Sequence, residues 1–121
     1  MYQEKYDIFI SYSKESDGAT AKAIKRDFRS YGLNVFLAHD DIEVSADWSE
    51  SILKQISNCP FFVPLLSSGF RKSEWTDQEI GIAVCLGKPI ILPIKLEDID
   101  PYGFISKVYY SEGMLWNMML L

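Results

Sequence analysis

Residues 61–66 read FFVPLL, a continuous apolar run in which polar and apolar residues do not alternate. Such a run is expected of a strand buried on both faces, as in a parallel sheet covered by helices. A helix is predicted soon after it, because Ser73 can cap the segment Glu74–Leu86 and Gly87 is a natural stop. A strand followed by a helix is the repeating unit of such a fold, so we expect strands and helices to alternate before and after residues 61–86.

Two more helices are predicted on the N-terminal side of this run. The first begins at an Asp17 cap and ends at a Gly32 stop, with apolar residues at helical spacing: Ala21, Ile24, Phe28 and Tyr31. The second begins at a capping box formed by Asp47 and Glu50, and its apolar face carries Trp48, Ile52 and Ile56. Both patterns are amphipathic, as expected of helices that cover a sheet.

Further strands complete the alternation, at residues 8–12, 34–38, 89–94 and 107–110. Strands and helices that alternate with short connections imply right-handed crossovers and an α/β fold with a parallel sheet. In an open sheet of this kind, ligands bind beyond the carboxyl ends of the strands. We therefore expect a site built from the loops that follow the strands.

The bulk composition suits one domain with a single core, because the chain has 121 residues and 48% of them are hydrophobic. The net charge of −5 includes no basic stripe, so we expect neither nucleic acid nor an anionic membrane as a partner. Two cysteines, Cys59 and Cys85, are predicted to be small buried residues. Residues 1–5 are polar and resemble no secretory signal, and residues 114–121 are too short to span a bilayer, so a cytoplasmic location is expected.

Trp75 and Glu79 are four residues apart, which places them on one face of the helix that follows strand 61–66. Beyond Glu79 this helix is apolar all round, so Glu79 should be half-buried at its entry to the core. Burial would raise the pKa of its carboxyl and the helix N-terminus would lower it. From the residues alone, a structural glutamate paired with a lysine is favoured over a catalytic one.

Other side chains near the expected site have a structural and a functional interpretation each. Tyr12 can stack on a ring or lean on the core, and Ser13 can bind a phosphate or end the strand. Trp48 can anchor its helix or cover the site. The acidic loop with Glu97, Asp98 and Asp100 is predicted to be a solvated turn.

The loop at residues 39–45 is rich in carboxylates but lacks the ligand spacing of a calcium loop, so no metal site is predicted. Its lone His39 has no nucleophile beside it and is interpreted as a loop residue. A receiver domain, which is phosphorylated on an aspartate, needs an acidic pair after its first strand. This chain has Ser11, Tyr12 and Ser13 at that place, so the receiver-domain interpretation is rejected.

The motifs together resemble the Toll/interleukin receptor (TIR) family, in the family's order over residues 6 to 105. Five stretches resemble family signatures: residues 6–12 (YDIFISY), 34–38 (NVFLA) with the polar loop and Trp48 that follow, 62–68 (FVPLLSS), 73–79 (SEWTDQE) and 87–94 (GKPIILPI). The polar loop resembles the BB loop of the family. This resemblance implies a flavodoxin-like three-layer sandwich with a five-stranded sheet in the order 2-1-3-4-5. It assigns residues 1–110 to the TIR domain and leaves residues 111–121 as a short apolar stub where the family has a long final helix.

The resemblance implies an NAD+ glycohydrolase that cleaves the nicotinamide–ribose bond, as in prokaryotic family members, with Glu79 as the catalytic residue. Similarity also places Trp75 in the pocket, Tyr12 and Ser13 by the nucleotide, and Trp48 on the nicotinamide side. NAD+ is then the substrate, no cofactor or metal is needed, and the domain associates with other TIR domains. A non-catalytic adaptor module is the alternative, and a nucleoside deoxyribosyltransferase-like enzyme is a further one. The sequence departs from the family in residues 43–47, which lack the usual glycine.

Overall fold

The computed structural model describes residues 5–37, 48–87 and 89–98. The elements in chain order are β1 (Ile8–Ser11), α1 (Lys14–Ser30), β2 (Val35–Leu37), α2 (Trp48–Asn58), β3 (Phe61–Leu66), α3 (Ser68–Lys72), α4 (Glu74–Leu86), β4 (Ile90–Ile91) and β5 (Ile94–Lys95). The strands are parallel and lie in the order β2-β1-β3-β4, while β5 pairs with the last residues of β3. The predicted α/β class and strand order are confirmed for this part of the chain.

The sheet separates two cores, because successive residues of a strand point to opposite faces. On one face, the rings of Phe36, Phe9 and Phe62 stack across β2, β1 and β3, with centroids 5.3 Å apart in both steps. Helices α2 and α4 cover this face with buried apolar residues: Ile52, Ile56, Ile80 and Ala83. The other face is covered by α1. Glu79 belongs to the first face.

The prediction of one continuous strand at residues 89–94 is wrong, because the structure has two short strands there, β4 and β5. Backbone carbonyls of Phe62 and Leu66 accept hydrogen bonds from Leu92 and Leu96. Pro64 lies midway between these two acceptors, so its missing N–H is on the same side of β3. Pro64 therefore cannot donate a backbone hydrogen bond to the neighbouring strand, and pairing with β3 resumes only at β5.

Helix α1 begins earlier than predicted. Its N-cap is Ser13 and Asp17 lies in its first turn, so the prediction of an Asp17 cap is wrong. Asp17 is buried and accepts a hydrogen bond from Ser67, which explains why it is not at the cap. Tyr31 was predicted on the buried face but is 83% exposed, because the helix has ended by then. Gly32 adopts a positive φ of 83°, which confirms it as the stop.

Helix α4 has the bounds predicted from the sequence. The Ser73 hydroxyl accepts a hydrogen bond from the backbone N–H of Thr76 at its start, and Gly87 ends it with a φ of 64°. The short helix α3, which precedes it, was not predicted. Cys59 is buried as expected, whereas the prediction that Cys85 is buried is wrong, since it lies exposed in the last turn of α4.

Several predictions concern parts of the chain outside the described residues. They include the loop at residues 39–46, the Asp47 cap, the fifth strand at residues 107–110 and the stub at residues 111–121. In α2, Ile52 and Ile56 are buried as predicted. Within the described ranges, no helix is both long and apolar enough to cross a membrane.

Candidate active site

Glu79 occupies a core position of α4. The buried stripe of this helix consists of Thr76, Glu79, Ile80 and Ala83, which recur at the spacing of one helix face. The Glu79 side chain is only 1% exposed, so it is fully buried and not half-buried as predicted from the sequence. A carboxyl group thus stands where the fold would otherwise place an apolar side chain.

The two carboxyl oxygens of Glu79 have different environments. Ser11, at the carboxyl end of β1, donates a hydrogen bond from its Oγ to Glu79 Oε1 at 2.7 Å. Glu79 Oε2 is also buried, but it has no hydrogen-bond partner among the residues that the structure describes. A buried carboxyl oxygen without a partner is uncommon in native proteins, so its presence is a sign of function.

Burial raises the pKa of Glu79 from its ordinary value of 4.5 to about 8, and the hydrogen bond from Ser11 acts in the opposite direction. The carboxyl is therefore mostly protonated at neutral pH. A charge brought close to it would change this balance, because an adjacent cation favours the ionised form. Desolvation is thus the larger of these two effects on the pKa of Glu79.

Ser11 is a site residue that the sequence analysis missed. It follows the apolar residues of β1 and is fully buried. The signal was present, because strand alternation places Ser11 on the same face as Phe9, towards α4, where a polar residue needs a partner. The identity of that partner was not visible, since it lies 68 residues away in sequence.

The other predicted site residues do not all lie beside Glu79. Tyr12 is buried in the core on the α1 face of the sheet, so the structure does not bring its ring to Glu79. Ser13 is buried at the start of α1. Trp75 lies one turn before Glu79 on α4, and Trp48 opens α2, but their side chains are outside the described part of the chain. Their roles stay predictions.

A second buried serine–carboxylate pair lies at the same edge of the sheet. The Ser67 hydroxyl donates to Asp17 of α1 and accepts from the backbone N–H of Phe70 in α3. Gly69 makes this close packing of α3 on α1 possible, because a Cβ there would lie 1.9 Å from the Oγ of Ser16. These contacts fix the start of both helices at the carboxyl ends of β1 and β3.

Glu97 is more than the solvated residue that was predicted. Its carboxylate accepts hydrogen bonds from the backbone N–H of Ser68 at 2.8 Å and from the Ser68 hydroxyl at 3.3 Å. It thereby ties the loop after β5 to the start of α3. Asp98, whose exposed carboxylate lies 3.5 Å from the Nζ of Lys95, fits the predicted turn.

No cluster of His, Cys, Asp and Glu within the described ranges has the composition to bind a metal ion. An open hollow of about 670 Å³ is lined by Lys5, Asp7, Lys54 and Pro60, among others. It lies at the amino ends of β1 and β3, on the opposite edge of the sheet from Ser11. Glu79 is therefore at the edge where parallel α/β sheets bind ligands, and the hollow is not.

Two curated relatives are named as enzymes, one as an NAD(+) hydrolase and the other as a 2′ cyclic ADP-D-ribose synthase. The chain is 40% identical over 85 residues to the NAD(+) hydrolase ApTIR of Actinoplanes sp., and 26% identical over 94 residues to the 2′ cyclic ADP-D-ribose synthase BtTIR of Bacteroides thetaiotaomicron. These matches cover 63% and 75% of this chain. The chain spans only 12% and 33% of the two relatives, so it corresponds to one part of each.

The fold is shared with the TIR domain of the Toll-related receptor TRR-2 from Hydra magnipapillata, at a TM-score of 0.73 and 19% identity. That similarity covers 94% of both chains and supports the architecture alone. The family model described as the TIR domain matches residues 8–114, nearly the whole chain. The chain therefore belongs to the TIR domain family.

Proposed function

We propose that this domain cleaves NAD+ at the bond between nicotinamide and ribose, with Glu79 as its catalytic residue. The observation that carries the proposal is a buried carboxyl group, with one oxygen held by Ser11 and the other without a described partner. It lies near the carboxyl ends of β1 and β3, the edge at which open parallel α/β sheets generally bind ligands. The similarity to the NAD(+) hydrolase ApTIR and to the cyclic ADP-ribose synthase BtTIR supports the choice of substrate.

The leaving group explains why one carboxylate is enough. When the C1′–N bond breaks, its electron pair moves onto the cationic pyridinium ring, and nicotinamide departs as a neutral molecule without needing a proton. Ordinary glycosidases use two carboxyl groups because the oxygen that leaves has to be protonated. Here a single ionised Glu79 can bind the ribose hydroxyls and stabilise the positive charge that develops on the sugar.

The raised pKa of Glu79 fits this chemistry. The carboxyl is mostly neutral in the substrate-free protein at pH 7, because burial raises its pKa to about 8. The positive nicotinamide ring of bound NAD+ favours the ionised form, so substrate binding should release the proton. The carboxylate then faces the sugar in a dry site, where its charge is poorly screened and acts strongly on the transition state.

We also propose substrate contacts for four residues that the family resemblance assigns. Trp75, one turn before Glu79, would line the pocket, and Trp48 at the start of α2 would lie on the nicotinamide side. Tyr12 and Ser13 would lie by the rest of the nucleotide. Since Tyr12 packs on the α1 face, its contact requires the substrate to extend past the end of β1.

Access to Glu79 requires a structural change, because a side chain that is 1% exposed has no open path to a dinucleotide. Association with other TIR domains is our proposed cause of this opening, so dilute domain alone should turn over slowly. A role in defence signalling would follow from such controlled activity. A reducing, cytoplasmic compartment fits the two free cysteines. The chemistry as written needs no metal and no cofactor.

The experiment is incubation of concentrated protein with NAD+, followed by separation of the products. Release of nicotinamide together with ADP-ribose or a cyclic isomer is the expected result, and the second product shows whether water or the substrate itself is the acceptor. Parallel incubation with deoxynucleosides tests the deoxyribosyltransferase alternative, for which base release from these compounds would be faster. No turnover of NAD+ under conditions where the domains assemble would favour the adaptor alternative.

A further inference from the structure

The hydrogen bond between Ser11 and Glu79 makes the two oxygens of the carboxyl group unequal. Oε1 accepts from the Ser11 hydroxyl at 2.7 Å, and both residues are almost completely buried. Oε2 has no partner among the described residues. The bond to Ser11 therefore ties Oε1 to the end of β1 and restricts rotation of the carboxyl group about its last side-chain bond.

Ser11 is held more firmly than a loop residue would be. It is the last residue of β1, which lies between β2 and β3, and it pairs in register with Pro64 of β3. The side chain has one torsion angle, so its hydroxyl position follows closely from the backbone. Catalytic groups act efficiently when such rigid elements hold them in the productive geometry.

Resting on the proposed cleavage of NAD+ by Glu79, we propose that Ser11 is a positioning residue for this reaction. Its hydroxyl fixes Oε1 and so makes Oε2 the oxygen that contacts the ribose of the substrate. The bond also favours the ionised carboxylate, because a hydroxyl donates more strongly to a charged acceptor than to a neutral one. Ser11 would thereby orient the carboxyl group of Glu79 and oppose the effect of burial on its pKa.

Among the described residues, the charged groups on the elements packed against α4 do not provide an alternative source of this effect on the pKa of Glu79. The elements packed on α4 are α2, α3, β1 and β3. Their described charged residues are all exposed: Glu50, Lys54, Arg71 and Lys72. Desolvation and the bond from Ser11 are the causes that act on the pKa of Glu79.

The pair formed by Ser67 and Asp17 offers a matched control. It is also a buried serine hydroxyl that donates to a carboxylate, at the end of β3 in place of β1. Loss of the Ser67 hydroxyl should lower stability in a similar way, without acting on Glu79. The comparison therefore separates a positioning role from the general effect of removing a buried hydrogen bond.

The test measures kcat, KM and the pH profile of nicotinamide release for wild type, Ser11→Ala and Ser67→Ala. For Ser11→Ala we expect kcat to fall roughly 10- to 100-fold, the range for a lost hydrogen bond to a charged group. KM for NAD+ should change less than about threefold, because the interaction acts in the transition state. The acid limb of kcat/KM should move up by about one pH unit, and Ser67→Ala should leave it in place.

The outcomes are distinguishable. If wild type releases no nicotinamide, the proposed function fails and the role of Ser11 fails with it. If wild type is active and Ser11→Ala keeps both kcat and the acid limb, only the role of Ser11 is refuted. An equal shift of the limb in Ser67→Ala would also refute it. Should Ser11→Ala not fold, Ser11→Cys retains the volume with a weak donor and should give the same direction of change.

Discussion

The substitution Glu79→Gln should stabilise the fold at neutral pH. Glutamine has nearly the same shape as glutamate but does not ionise, so it removes the effect of burying a titratable group. The pKa of Glu79 rises from 4.5 in the unfolded chain to about 8 in the fold. Between these values the folded state binds more protons than the unfolded state, so stability falls as pH rises. The penalty is absent below about pH 4.5 and reaches its full value above about pH 8.

The size of this effect follows from the same pKa values. Between pH 4.5 and pH 7, burial of Glu79 lowers the free energy of unfolding by about 1.36 kcal/mol for each pH unit. The accumulated penalty is about 3 kcal/mol at pH 7. This is a large share of the roughly 5 to 15 kcal/mol that stabilises an ordinary domain. Such a gain at the expense of activity is expected where function needs a buried charge.

The assay is urea denaturation of wild type and Glu79→Gln at several pH values between 4 and 9, with free energies of unfolding extrapolated to water. The two should agree at pH 4 and diverge steadily up to pH 8. Asp77→Asn is the control, because it removes an exposed acid from the same helix and leaves the buried Glu79 in place. Parallel stability curves for wild type and Glu79→Gln would refute the assignment of Glu79 as a buried acid with a raised pKa.

Three further predictions concern the pH profile, the packing of α3 and the cysteines. If catalysis requires ionised Glu79, kcat/KM for NAD+ should rise about tenfold per pH unit up to about pH 8 and then level off, whereas a flat profile would contradict this. Gly69→Ala should lower the free energy of unfolding by about 1 kcal/mol less when Ser16→Ala has removed the hydroxyl that a Cβ at position 69 would meet. Denaturation of the two single variants and the double variant measures this coupling, and a coupling energy of zero would contradict the packing of α3 on α1. An aromatic disulfide reagent should label the exposed thiol of Cys85 in native protein but reach Cys59 only after unfolding. Burial, and to a smaller extent the charge of Asp7, raises the pKa of the Cys59 thiol to about 12, so little reactive thiolate is present. Rapid labelling of both thiols in native protein would contradict this.

The elements that the sequence predicted well have local signals that agree with their environment. The strand Phe61–Leu66 is apolar throughout and is buried, and Ser73 and Gly87 mark both ends of α4. The N-cap of α1 is predicted at Asp17, whereas the helix begins after Ser13 and the buried side chain of Asp17 bonds to Ser67. Local pattern alone contains no such information.

Other errors arise because the deciding partner is distant in sequence or the element is short. Helix α3 has five residues, too few to show helical periodicity, and it depends on caps from Ser67 and Glu97. The break between β4 and β5 depends on Pro64, in a different strand. The complete burial of Glu79 was also not predictable, since it depends on the sheet against which α4 packs and on Ser11 at its end.

The central claim is that a single buried carboxylate performs the reaction. The most direct measurement is the rate of nicotinamide release from NAD+ by wild type and by Glu79→Gln at equal, high concentration, with folding of both confirmed by denaturation. We predict release by wild type and a loss of at least about a hundredfold in Glu79→Gln, because the charge that stabilises the developing cation is gone. Equal rates from the two proteins would contradict the account.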